Sequence, residues 1–306
     1  MIIANPIYDS VFKYLMDDKR VAKVILSAIT GFDIEDVQLK ATEVATALDT
    51  PIGRSLTVYR VDFAAHVRTG EGRRLVLIEI QKAKLPTDIM RFRRYLGVQY
   101  SSLENSRKVS DAATGRQRNV ADPIFTIYLL GHRLEHTEAP VVRVSRTCFD
   151  VATGETLVKP EEFIESLTHD SVVIQIPLLR DHRRNRLEQL LSIFDQGLAV
   201  EGDPHGLKID EKALPKEYGF ILRKLLDAYS EDDLRQKMVV EDEILSELEE
   251  WERTVAVQTE RAEAAEQRAE EERRQKEVLQ AKLEAGVKAL MAAGMSEADA
   301  RKLLGG

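Results

Sequence analysis

The segments SLTVYRVDFAAHVR at 55–68 and RRLVLIEIQKA at 73–83, joined by TGEG at 69–72, are the stretch on which the fold turns. Both flanks are rich in β-branched and aromatic residues, and the linker holds two glycines suited to a tight reversal, so the pattern predicts a β-hairpin. Side chains alternate along a strand. Val58, Arg60, Asp62, Ala64 and His66 therefore share one face of the first strand, and Leu75, Leu77, Glu79 and Gln81 share one face of the second. Asp62 and Glu79 can then face one another. Two acids brought together in otherwise apolar strands repel, and burying them is costly unless a cation neutralises them. Mg²⁺ takes oxygen ligands, typically one or two carboxylates, with water and phosphate oxygens completing its octahedron. A metal so held polarises a phosphodiester and activates a bound water. The plainer reading of the same pair is two strand acids that face water.

Upstream, Asn5-Pro6 reads as a helix start, with Asn as N-cap and Pro at the first helical position, burying Ile7, Val11, Tyr14 and Leu15. A second amphipathic helix at about 20–30 ends at Gly31, which suits a left-handed C-cap. Downstream, DIMRFRRYLGVQYSSLEN from Asp88 has Ile89, Phe92, Leu96 and Tyr100 near helical spacing. A polar stretch at 106–123 then turns the chain into IFTIYLLG at 124–131, an apolar run of the kind found in buried central strands. Shorter strands follow at 141–150 and 156–158, then SVVIQIPLL at 171–179 as a further strand, with helices at about 183–196 and 215–228. The fold class is α/β.

From about 234 the composition changes. Ile244, Leu248, Trp251, Val255, Gln258, Ala262, Ala265, Ala269, Glu272, Lys276, Leu279, Leu283, Gly286 and Leu290 alternate in steps of four and three, the spacing of a left-handed coiled coil. Such a stripe calls for a partner, and a homo-oligomer is expected; a polar single helix competes with it, since Gln258, Glu272 and Lys276 weaken the seam. Gly294 and Ser296-Glu-Ala-Asp299 read as a stop and a capping-box restart. The expected organisation is an α/β domain over 1–235, an acidic coiled coil over 236–293 and a short terminal helix over 294–306.

The chain has 306 residues, 43% hydrophobic and 31% charged, with a net charge of −8. The charge is segregated. Residues 73–118 hold eleven Lys and Arg against four acids, whereas 240–285 hold fifteen acids against seven bases. A local basic segment can meet phosphates whatever the total charge, although most charge runs are solvated surface. One cysteine, Cys148, cannot close an intrachain disulfide, which suits a reducing compartment. Neither a signal peptide nor an apolar run long enough to span a membrane is apparent, so a cytoplasmic protein is expected.

The order of a helix with Asp9 and Phe12-Lys13, then Val61-Asp62, then Ile78-Glu79-Ile80-Gln81, then a helix with Arg91, Arg94, Tyr95 and Tyr100 resembles the PD-(D/E)XK nuclease superfamily. More narrowly it resembles the transposase-associated branch, the Rpn recombination-promoting nucleases. The resemblance covers about residues 5–195. It implies a restriction-endonuclease-like central mixed sheet flanked by helices, and DNA endonuclease activity dependent on Mg²⁺, for which Mn²⁺ can substitute. It further implies Asp62 and Glu79 as metal ligands, Asp9 as an assisting acid, and Arg91, Arg94 and Tyr95 toward the phosphates. Gln81 stands where most of the superfamily has lysine, and Glu-x-Gln is the usual form in the Rpn-like branch. An amide can hydrogen-bond a water but carries no charge. Lys82 would reach the site only across a bulge or from a flexible position.

Each residue has a duller account. Asp9 and Lys13 are an i,i+4 pair, Arg91 and Arg94 can simply solubilise a helix, and Tyr95 and Tyr100 can pack with a hydroxyl at the rim. His132 and His136 lack the Glu of the zinc-hydrolase motif. The rival of an enzyme is a catalytically inactive nuclease-fold protein that acts as a DNA-binding or coiled-coil interaction module.

Overall fold

The computed structural model describes the chain except residues 41–44, 50–54, 60–62, 83–87, 111–114, 158–160, 181 and 306, and gives the backbone alone at 45–49, 55–59, 88–91, 213, 252, 300 and 305. It divides into two compact units, Met1–Glu243 and Ile244–Gly306.

The chain opens with a strand, β1 (Ile2–Ala4), ahead of the helix start expected at Asn5-Pro6. Asn5 does not cap a helix. Its backbone N–H continues the pairing of β1 by donating to His205 O, and its side-chain Oδ1 accepts from the Ile7 N–H instead. Helix α1 (Asp9–Met16) begins three residues after Pro6 and buries Val11, Phe12, Leu15 and Met16. Helix α2 (Lys19–Thr30) is capped by Asp18, whose carboxylate accepts from the Arg20 and Val21 N–H groups, and it stops at Gly31 with φ 72°.

Next come β2 (Ile34–Lys40), β3 (Ala45–Asp49), β4 (Ser55–Tyr59), β5 (Phe63–Thr69) and β6 (Gly72–Gln81). The expected strand at 55–68 is represented by β4 and β5, on either side of residues outside the described ones. β4 pairs antiparallel with β3 in the register that β5 keeps with β2, and β5 pairs antiparallel with β6 across the Thr69–Gly72 turn. Helix α3 (Asp88–Ser101) follows, and the polar stretch after it is a hairpin, β7 (Ser106–Ser110) with β8 (Gln117–Ala121). Its alternation is short and its side chains mostly polar, so it carries little apolar period to read. β9 (Ile124–Leu130) is the buried central strand expected of that run, and β10 (Val141–Val144), α4 (Glu162–Leu167) and β11 (Asp170–Gln175) follow.

The central sheet has six strands in the order β10-β11-β9-β6-β5-β2. β2, β5 and β6 form an antiparallel meander, β6, β9 and β11 are parallel, and β10 closes the far edge antiparallel, so the sheet is mixed. A parallel neighbour needs a crossover, and α3 lies on the one between β6 and β9. Both faces are covered. Phe63, Ala65, Val67, Val76, Ile78 and Ile80 pack toward α1 and α2, whereas Ala64, Leu75, Leu77 and Ile124 pack with Phe92, Tyr95 and Leu96 of α3. Burial of each such side chain contributes about 1.5–3 kcal/mol. α3 is turned slightly from the expected face: Gln99 is inside and Tyr100 is partly exposed.

The first unit is completed by α5 (Arg186–Leu191), β12 (Ala199–Val200), β13 (Asp203–Lys208), α6 (Gly219–Ser230) and the root of α7 (Asp232–Ala292). β13 pairs with β1, and Leu234 and Met238 of α7 are buried in the main core. In the second unit, α7 carries the heptad positions and α8 (Glu297–Gly305) folds back on it. Gly286 permits that approach, since a Cβ there would lie 2.8 Å from Leu304 Cδ1. Ser296 caps α8 through its Oγ, which accepts from the Asp299 N–H and donates to the Asp299 carboxylate. Among the described residues no helix is long and apolar enough to cross a membrane.

Candidate functional site

The carboxyl ends of parallel strands are where open α/β sheets usually bind ligands, and Glu79 and Gln81 sit there on β6. The alternation that buries Leu75 and Leu77 under α3 carries both residues onto the same face. Glu79 is 1% exposed and Gln81 9%. A carboxylate this deep in an apolar face is expensive unless satisfied. The Glu79 charge is felt by two tyrosines on that face: burial first, and then this charge, raise the Tyr95 hydroxyl well above its ordinary value. Tyr128 is likewise raised, mainly by burial, with a contribution from Glu79.

The Tyr95 hydroxyl is buried and has no hydrogen-bond partner among the described residues. A polar group left in this way costs free energy. An orphaned hydroxyl beside a buried carboxylate fits a site that admits a water or a hydrated cation better than it fits a sealed core. Carboxylate and amide oxygens are also the hard donors that Mg²⁺ takes. Among the described residues no three His, Cys, Asp or Glu side chains cluster as a metal site. Asp62 lies outside the described residues, as does the side chain of Arg91.

Lys82, one residue past β6, occupies the opposite face. Its Nζ is 3.2 Å from the centroid of the Tyr8 ring and 3.1 Å from Asp242 Oδ1. Asp242 Oδ2 accepts from the Tyr8 hydroxyl at 2.8 Å and lies 2.9 Å from His205 Nε2. Burial alone would raise the Asp242 carboxyl, but the His205 and Tyr8 hydrogen bonds and the Lys82 ammonium together hold it below the usual aspartate value. Asp9, the first residue of α1, follows Tyr8 directly, and its Oδ2 is 2.8 Å from Lys13 Nζ. Its backbone N–H and that of Ser10 donate to the Glu241 carboxylate at 2.8 and 2.9 Å. The structure thus groups Glu79, Gln81 and Tyr95 on one face and Lys82 beside the start of α1 on the other. Arg94 is exposed on the side of α3 turned from the buried Phe92 and Tyr95.

The basic segment spends much of its charge internally. Asp122, wholly buried, holds Arg73 at 2.6 Å and Arg107 at 2.8 Å, with His66 3.8 Å away. Arg74 pairs with Glu71, Arg118 with Glu162 and Lys82 with Asp242. Arg93, Arg94 and Lys108 are exposed. Sequence reasoning missed Tyr8, His205, Glu241 and Asp242 altogether. Glu241-Asp242 opens the acidic stretch and reads there as solvated helix, and nothing local marks it otherwise. A cleft of about 350 Å³, lined by Arg74, Arg146, Cys148 and Asp170 among others, shares no residue with the Glu79 face, and its Arg146 is taken up by Asp170 and Glu165.

Comparison with protein-family models, with curated proteins and with solved structures finds no match.

Proposed function

We propose that this chain is a Mg²⁺-dependent DNA endonuclease of the PD-(D/E)XK kind, resembling the Rpn-like branch, with a restriction-endonuclease-like sheet. The observation that carries the reading is the buried Glu79 at the carboxyl end of β6, on the face that Tyr95 and Leu77 line. The last described pair is Phe63 opposite Ile78. Asp62, the acid that sequence alternation sets with Glu79, lies just outside the described residues. The orphaned Tyr95 hydroxyl supports the reading as well.

In this reading Glu79 and Asp62 supply carboxylate oxygens and Gln81 orients a water through its amide; Asp9, at the start of α1 on the opposite face, is the assisting acid that the resemblance adds. A divalent cation, when bound, supplies a Lewis acid and lowers the pKa of its water. Arg91 and Arg94 contact backbone phosphates. The four-three stripe of α7 pairs two chains, which supplies two sites for the two strands of a duplex. The lone Cys148 suits a cytoplasmic protein.

The test is nicking of supercoiled plasmid in Mg²⁺ by the parent, Asp62→Ala and Glu79→Gln, with circular dichroism as the folding control. Both variants are expected to lose nicking and keep their spectra; equal cutting by all three refutes the assignment. The second reading, a catalytically inactive DNA-binding or coiled-coil module, is favoured by the uncharged Gln81 and by the pairing of Lys82 with Asp242. Calorimetry with Mg²⁺ or Mn²⁺ separates the two, since the inactive module takes up no ion at Glu79.

A further inference from the structure

Two consecutive acids on α7 reach both elements that carry the candidate site. Glu241 receives the first two N–H groups of α1, which its own preceding residue Tyr8 leaves uncapped by any side chain. A carboxylate there also complements the helix dipole. Asp242 collects Tyr8 from the entry to α1, His205 from β13 and Lys82 from the end of β6. The Lys82 ammonium is sandwiched between the Tyr8 ring and this carboxylate, and its side chain is only 14% exposed.

From the other side, the Gly131 N–H donates to Gln81 O at 2.6 Å and pins the same end of β6. Asp9 and Gln81 are therefore each one residue from a group that α7 holds.

We infer that Glu241 and Asp242 are positioning residues of the candidate site: the root of the long helix sets the start of α1 against the end of β6. Neither acid need touch a reacting atom. Each acts through a neighbour, Glu241 through the backbone of Asp9 and Asp242 through Lys82 beside Gln81. Because α7 continues without interruption from Asp242 into the second unit, the helix that bears the heptad stripe is the same one that completes the site. What the site does rests on the nuclease reading; that α7 orders it does not.

The experiment uses the full chain as parent, Asp242→Asn, Asp242→Glu and Glu241→Gln, with Glu247→Gln as an exposed control on the same helix. Amide hydrogen exchange is followed at 8–12, 78–82 and, for comparison, α2, and plasmid nicking in Mg²⁺ is resolved into kcat and KM. Asp242→Asn is expected to speed exchange at 8–12 and 78–82 about tenfold, the size of one lost charge-assisted hydrogen bond, and to leave α2 unchanged. It is expected to lower kcat by a similar factor at constant KM, with Asp242→Glu recovering part of both.

Exchange at 8–12 and 78–82 that matches the parent overturns the inference, and so does a rise spread equally over α2. Should Asp242→Asn fail to fold, Glu241→Gln carries the same test at 8–12. If the parent itself nicks no DNA, the nuclease reading falls and the exchange arm alone decides whether α7 orders these segments.

Discussion

Gly131 is where the end of β6 admits least change. It follows β9 directly, and a Cβ built there would stand 2.3 Å from Lys82 O, 2.9 Å from Lys82 C and 3.0 Å from Gln81 O. All three are backbone atoms, so no side-chain rotation relieves the clash. Gly131→Ala must push the ends of β6 and β9 apart by about an ångström to restore ordinary contact. That movement breaks the Gly131 N–H to Gln81 O hydrogen bond, a loss of about 1 kcal/mol. Overpacking adds about 1–3 kcal/mol. The sum is about 2–4 kcal/mol, which in a unit of this size lowers Tm by about 4–16 °C. Thermal and urea unfolding followed by circular dichroism measure it, and exchange at 78–82 reports whether the loss is local. A Gly131→Ala protein as stable as the parent, with β6 equally protected, would refute the close approach and the pinning of Gln81 with it.

Other perturbations read other parts of the fold. Asp122→Asn removes the charge shared by Arg73 and Arg107; breaking a buried pair costs about 3–5 kcal/mol, and because both guanidinium side chains are about a third exposed a loss nearer 2–3 kcal/mol is expected in urea titrations. His66 and His169 are both held below the ordinary histidine value, mainly by burial. The unfolded chain therefore takes up protons first as pH falls, so stability is full above about pH 6.5 and declines below it. Urea midpoints at pH 7.5 and 5.5 should differ in that sense, and less in His66→Gln. Ending the chain after Glu243 is expected to leave the melting of the first unit unchanged. Ending it after Glu231 removes buried Leu234 and Met238 and the partners of Tyr8 and Lys82, and should lower Tm by more than 10 °C, since each apolar side chain contributes about 1.5–3 kcal/mol.

The elements most legible in the sequence are those with a strong apolar period. β6, β9 and α2 declare themselves because each buries a row of aliphatic side chains, and Gly31 stops α2 for the reason its type suggests. Where polar residues carry the structure, the pattern misleads. Asn5-Pro6 has the chemistry of a helix start, yet pairing of residues 2–4 with β13, just over two hundred residues away, outweighs it. That Glu79 and Gln81 share a face is legible because a period of two fixes it once β6 is recognised. Glu241 and Asp242 were missed because their partners come from three elements distant in the chain, and tertiary hydrogen bonds leave no local period.

The same distinction governs the charge. Residues 73–118 look like a phosphate-binding run when their cations are counted, but a cation contributes to counterion release only if it is not already neutralised. Arg73 and Arg107 close on the buried Asp122, and Lys82 closes on Asp242, so these three build the domain. Arg93 and Arg94, adjacent on α3, are exposed because the helix turns Phe92, Tyr95 and Leu96 inward. The helix that roofs the Glu79 face with its apolar side thus carries Arg93 and Arg94 on the other. A polyanion drawn to Arg93 and Arg94 would meet the outer surface of α3, on the side away from the Glu79 face. The exposed Arg93 and Arg94 and the buried Glu79 face therefore lie on opposite sides of α3, and it is the docking of that helix over Leu75 and Leu77 that holds them in fixed relation.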